Sequence, residues 1–134
     1  MKPAELRGDI VILACAISAG IHGALVPGHF DEGPGAGLGF VTAAVALGGL
    51  VIWLSRQPGS RPALLAAVAL FAGLIGSYAL AATTGLPVLH PDPEPVDGLG
   101  LATKAIEAVG LLAATRLLWR HVAVTLPQAK GNLT

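Results

Sequence analysis

At 134 residues the chain has the length of one domain, yet 54% of it is hydrophobic, 12% is charged and the formal net charge is zero. Soluble globular domains carry roughly 25% charged residues, so the composition excludes an ordinary water-soluble fold and points to a protein dissolved in a bilayer. No nucleic-acid partner is expected of it.

Four apolar segments carry this composition, at residues 10–26, 35–54, 63–82 and 99–119. Each approaches the ~20 residues that a helix needs to cross a hydrocarbon core of about 30 Å. Backbone amides find no water there, so such segments must be helices. The expected architecture is an all-α, integral membrane four-helix bundle in one domain, with lipid as a partner. Lys2 and Arg7 ahead of an apolar run containing Ala14-Cys15-Ala16 also fit a cleaved signal peptide. The run continues past Ala24 toward a second span, however, so the first segment is read as retained.

Lysine and arginine positions set the orientation. Lys2 and Arg7 precede the first span, Arg56 and Arg61 lie between the second and third, and Arg116, Arg120 and Lys130 close the chain, while the other two connections contain none. Both termini are therefore expected on the cytoplasmic side of the plasma (inner) membrane. The two acidic, histidine-bearing loops are expected outside.

Along the chain, Asp9 stands where a short acidic side chain caps a helix N-terminus. In the first span Ser18 and His22, four apart, share a face. An ionisable residue inside a span marks a functional site, or else is a neutral imidazole hydrogen-bonded across the bundle. Residues 27–35 have the Gly/Pro punctuation of a tight outer loop and carry His29, Asp31 and Glu32. Span two is rich in small residues from Gly37 to Gly49, a face for close packing, and ends on Trp53 and Arg56. The short basic turn at 55–62 makes spans two and three antiparallel neighbours. Tyr78 reads as an interfacial anchor in preference to a hydroxyl aimed at the outer polar cluster. In the second outer loop, 86–98, prolines at 87, 91, 93 and 95 fix φ and exclude a helix. His90, Asp92, Glu94 and Asp97 thus ride on a stiff segment.

Span four departs most from a passive membrane helix. Lys104 and Glu107 lie three apart on one face, about 9 and 13 Å along the helix from Gly98 at 1.5 Å per residue. Their charges require the bundle interior or water, and an i, i+3 ion pair would neutralise both. An offset of 61 residues also superposes His90 on His29, Asp92 on Asp31, Thr103 on Thr42 and Gly110 on Gly49. That pattern suggests two repeated helical hairpins related by an axis along the membrane normal.

His22, His29 and His90 with Asp31, Glu32, Asp92, Glu94 and Glu107 supply imidazole and carboxylate ligands for a transition metal such as zinc, non-haem iron, manganese or Cu(II). A thiolate-rich copper(I) site is not expected with one cysteine and one methionine. Glu107 is also the candidate general base, or a partner orienting His22. The chain resembles small four-span membrane proteins of high-GC actinobacteria at Ser18-Ala19-Gly20-Ile21-His22-Gly23-Ala24-Leu25-Val26-Pro27-Gly28-His29, at Thr84-Gly85-Leu86-Pro87, at Pro93-Glu94-Pro95-Val96 and at Glu107. The resemblance implies the four-span fold, singles out His22, His29, Glu94 and Glu107, and carries no activity with it. Those proteins often have Gly-Glu-Pro where this chain has Pro91-Asp92-Pro93-Glu94.

Three function classes follow. The first is a membrane metal-binding protein whose outer site serves sensing, delivery or redox chemistry. The second is an accessory or packing subunit of a larger membrane complex or homo-oligomer, for which the small-residue face argues. The third is a membrane metalloenzyme that activates a metal-bound water, with Glu107 as base. A transporter is not expected, because only Cys15, Thr115 and Arg116 offer polarity in the cytoplasmic half.

Overall fold

The structure, a computed structural model, describes residues 3–87 and 93–125. It is all-helical, with α1 (Pro3–Glu32), α2 (Pro34–Arg56), α3 (Arg61–Thr83) and α4 (Gly98–Thr125). Three stretches, Leu6–Glu32, Pro34–Arg56 and Arg61–Thr83, are long and apolar enough to cross a membrane. The fourth helix is 28 residues long and carries Lys104 and Glu107 among its apolar residues.

The surface is turned inside out relative to a soluble protein. Leu13, Leu38, Val45, Ile52, Leu65 and Leu112 are exposed, whereas Glu107 and Ser18 are 0% exposed and His22 and Thr103 are also buried. Apolar side chains facing outward and ionisable ones facing inward are what a lipid solvent selects, since a charge in hydrocarbon is costly and an exposed leucine is not.

Helix α1 packs along α2 and α4, α3 packs along α4, and the α2–α3 pairing is the lightest of the four. Spans two and three, expected as antiparallel neighbours, are in contact but pack more lightly than these other three pairs. The apolar core fills the half nearest the chain termini, where Val11, Cys15, Leu47, Leu64, Phe71 and Ala114 interlock. Gly110 admits this approach: a Cβ there would stand 2.7 Å from the Phe71 ring and 2.8 Å from the Ala14 methyl. The small-residue run of α2 divides. Ala36, Gly37 and Ala43 are buried, but a Cβ on Gly48 or Gly49 would meet nothing within 4 Å.

Several local expectations are corrected. The tight loop at 27–35 is absent, because α1 continues through Pro27 to Glu32. Proline removes one backbone donor, a loss a membrane helix tolerates. The break is Gly33 alone, whose N–H donates to the His29 carbonyl at 3.1 Å and whose own carbonyl accepts from Gly37 N–H at 3.1 Å. Pro34 opens α2 at a position where a backbone N–H would have no partner. Asp9 caps nothing, since α1 starts at Pro3 and Asp9 is an exposed residue within it. The two hairpins paired by the 61-residue offset differ in their connections: Gly33 joins α1 to α2, and residues 84–97 join α3 to α4.

Candidate functional site

The half of the helices nearest these two connections is hollow, with a few polar side chains on its wall. Beside it the Glu107 carboxylate is fully buried. Ser18 Oγ donates to Glu107 Oε1 at 2.7 Å, and Lys104 Nζ donates to Glu107 Oε2 at 2.6 Å. The ammonium also donates to the Leu74 carbonyl at 3.3 Å and lies 5.5 Å from the centre of the Tyr78 ring. The i, i+3 pair expected from sequence is therefore formed, tying α4 to α1 through Ser18 and to α3 through Leu74. Each charge has a partner, as burial in low dielectric demands.

His22 stands beside this pair on α1. Its Nδ1 lies 2.9 Å from the Ser18 carbonyl and 3.3 Å from Ser18 Oγ. A carbonyl only accepts, so the proton sits on Nδ1 and the Nε2 lone pair is left for another partner. His29, two turns further along, repeats the arrangement: Nδ1–H donates to the Leu25 carbonyl at 3.0 Å. A backbone acceptor on one ring nitrogen fixes tautomer and ring orientation, as it does in histidines that bind metals through the other.

His29 Nε2 lies 3.9 Å from Glu32 Oε2. One ligand atom from each of His29, Glu32 and Glu94 lies within 4.8 Å of the others. Metal–ligand bonds of about 2.0–2.2 Å in tetrahedral geometry would bring the donors to about 3.4 Å of each other. The group therefore needs a closure of the order of 1 Å, available to Glu32, which is exposed. Glu94 arrives from the Pro93–Pro95 segment because its backbone N–H donates to the Ala81 carbonyl at 2.9 Å. Gly85, with φ of 73°, turns the chain off α3 in the left-handed conformation glycine adopts without strain. Asp97 Oδ1 accepts from Gly100 N–H at 2.6 Å and caps α4.

The structure thus gathers His29, Glu32 and Glu94 at the rim and His22 with Glu107 deeper down. Asp31 is exposed and stays outside the rim group. His90 and Asp92 lie outside the described residues. Between rim and floor is a cavity of about 270 Å³, whose wall includes His22, His29, Phe40, Tyr78, Glu94 and Lys104.

Two wall residues differ from the sequence reading: Phe40 was not singled out, and Tyr78 lines the cavity, closer to the second of its two expected placements. Phe40 stacks on His29 with ring centroids 3.6 Å apart and lies 5.3 Å from His22. A lone aromatic among the small residues of span two was its only signal. Tyr78 is no interfacial anchor: its hydroxyl is buried and, among the described residues, has no hydrogen-bond partner. Hydropathy does not distinguish a tyrosine at the lipid interface from one turned inward. Compared with family models, curated proteins and solved structures, the chain finds no match.

Proposed function

We propose that this protein is an integral membrane four-helix bundle of the plasma membrane, with both termini cytoplasmic, that binds a divalent transition metal at its outer rim through His29, Glu32 and Glu94. The observation that carries the reading is the convergence of an imidazole, already oriented by the Leu25 carbonyl, with carboxylates from two separate segments. One nitrogen and two carboxylate donors suit zinc, non-haem iron or manganese better than a soft copper(I) site. Such a site serves sensing or delivery on the extracytoplasmic side.

The enzyme reading draws less support, because both oxygens of Glu107 are engaged by Ser18 and Lys104. The subunit reading is favoured by one observation: Gly48 and Gly49 of α2 and Gly73 and Gly76 of α3 have open space beside them, which a neighbouring helix could fill.

Titration of the detergent-purified protein with Zn²⁺ or Co²⁺ tests the metal reading. One ion per chain is expected, with affinity falling at least tenfold in His29→Ala and Glu94→Gln, the scale on which loss of a ligand or its support acts. Absence of stoichiometric metal, or wild-type affinity in both variants, would overturn it.

A further inference from the structure

We infer that the cavity between the helices binds one small neutral molecule, an aromatic ring bearing a hydroxyl group, whose O–H donates to Nε2 of His22. The inference uses none of the three rim donors and stands apart from the metal reading.

His22 and Lys104 both belong to the cavity wall, and what they present decides the polar group of the guest. Nδ1–H of His22 donates to the Ser18 carbonyl at 2.9 Å, so the other polar atom of the ring, Nε2, is an acceptor. An ammonium has three N–H groups; that of Lys104 gives one to Glu107 Oε2 and one to the Leu74 carbonyl, and its charge is matched by the same carboxylate. A guest must therefore donate to an imidazole lone pair without bringing a charge of its own. A carboxylate has no proton to donate and adds a second anion beside Glu107. An ammonium donates but sets a second cation beside Lys104. Either leaves an uncompensated charge in low dielectric. A neutral hydroxyl donates to His22 and keeps lone pairs that an N–H can fill.

The remaining wall selects the body of the guest. Phe40 from α2 and Tyr78 from α3 bring aromatic rings to it, and Leu74 and Leu99 add apolar surface. The Phe40 centroid lies 5.3 Å from that of His22, which sets an aromatic ring next to the acceptor nitrogen's own ring. Aromatic pairs are favourable beyond the area they bury. A cavity of roughly 150 Å³ holds a benzene molecule, so about 270 Å³ accommodates a phenol with a short substituent.

The test titrates the full chain in detergent with 4-fluorophenol and with 4-fluorotoluene, followed by fluorine NMR against protein-free micelles of the same detergent. The two probes are close in size and differ in the hydroxyl. Both should bind saturably, one molecule per chain. After division by the ratio in empty micelles, the phenol should bind tighter by a factor of about five or more, the scale of one buried hydrogen bond. His22→Leu should erase that advantage while 4-fluorotoluene still binds, and Ala43→Leu, which fills the cavity from α2, should abolish saturable binding of both. Far-UV circular dichroism checks that each variant keeps its helices. In the wild type alone, an advantage no larger than in empty micelles overturns the inference. So does an advantage that survives His22→Leu, or saturable binding that survives Ala43→Leu.

Discussion

Replacing Lys104 by methionine isolates the interaction that lets two charges sit among apolar helices. Glu107 is 0% exposed, and its two oxygens are held by Ser18 Oγ at 2.7 Å and Lys104 Nζ at 2.6 Å. Methionine keeps an unbranched apolar stem and removes the ammonium, leaving a buried carboxylate with a hydroxyl as its partner. Removing one member of a buried pair costs about 3–5 kcal/mol. Glu107→Gln strands the ammonium instead, but the Lys104 side chain is 16% exposed and keeps the Leu74 carbonyl and the Tyr78 ring. Its cost should be smaller, about 1–3 kcal/mol. The double variant Lys104→Met with Glu107→Leu buries no charge and should be neutral or more stable by about 1–4 kcal/mol. Reversible unfolding in mixed micelles at increasing SDS fraction, followed by circular dichroism, measures all three. A loss below about 1 kcal/mol in Lys104→Met, or a double variant as unstable as that single one, would refute the assignment of a buried, mutually dependent pair.

Two further predictions concern packing and orientation. Gly110→Ala drives a methyl into Phe71 and Ala14 and should cost about 1–3 kcal/mol, whereas Gly49→Ala enters open space and should gain about 0.5–1 kcal/mol from helix propensity. Equal effects in the same unfolding assay would contradict the close approach of α1, α3 and α4. For orientation, Cys15 is the only cysteine and is buried, so the wild type is a low-background control. On intact cells a membrane-impermeant maleimide should label Asp31→Cys, and should label Ser55→Cys only after permeabilisation. The reverse pattern would place the histidine-bearing rim on the cytoplasmic side.

The number of helices and the inward placement of Lys104 and Glu107 were legible in the amino-acid order, because lipid imposes them residue by residue. A run of some twenty apolar residues has helix as its one means of satisfying its backbone, and a charge on that helix must face inward. The pairings of Ser18 with His22 and of Lys104 with Glu107 were legible too, since spacings of three and four meet on any helix. What only the tertiary structure decided depends on balances between distant groups. Pro27 reads as a loop, but the loss of one backbone bond did not end α1, and Gly33 proved a sufficient break. Glu94 reaches His29 because its amide finds the Ala81 carbonyl at the end of α3, a contact with no periodicity to betray it. Tyr78 and Phe40 turn inward for the same kind of reason: the helices around them leave a hollow at that level, and its walls are set by which helices pack together rather than by any one of them.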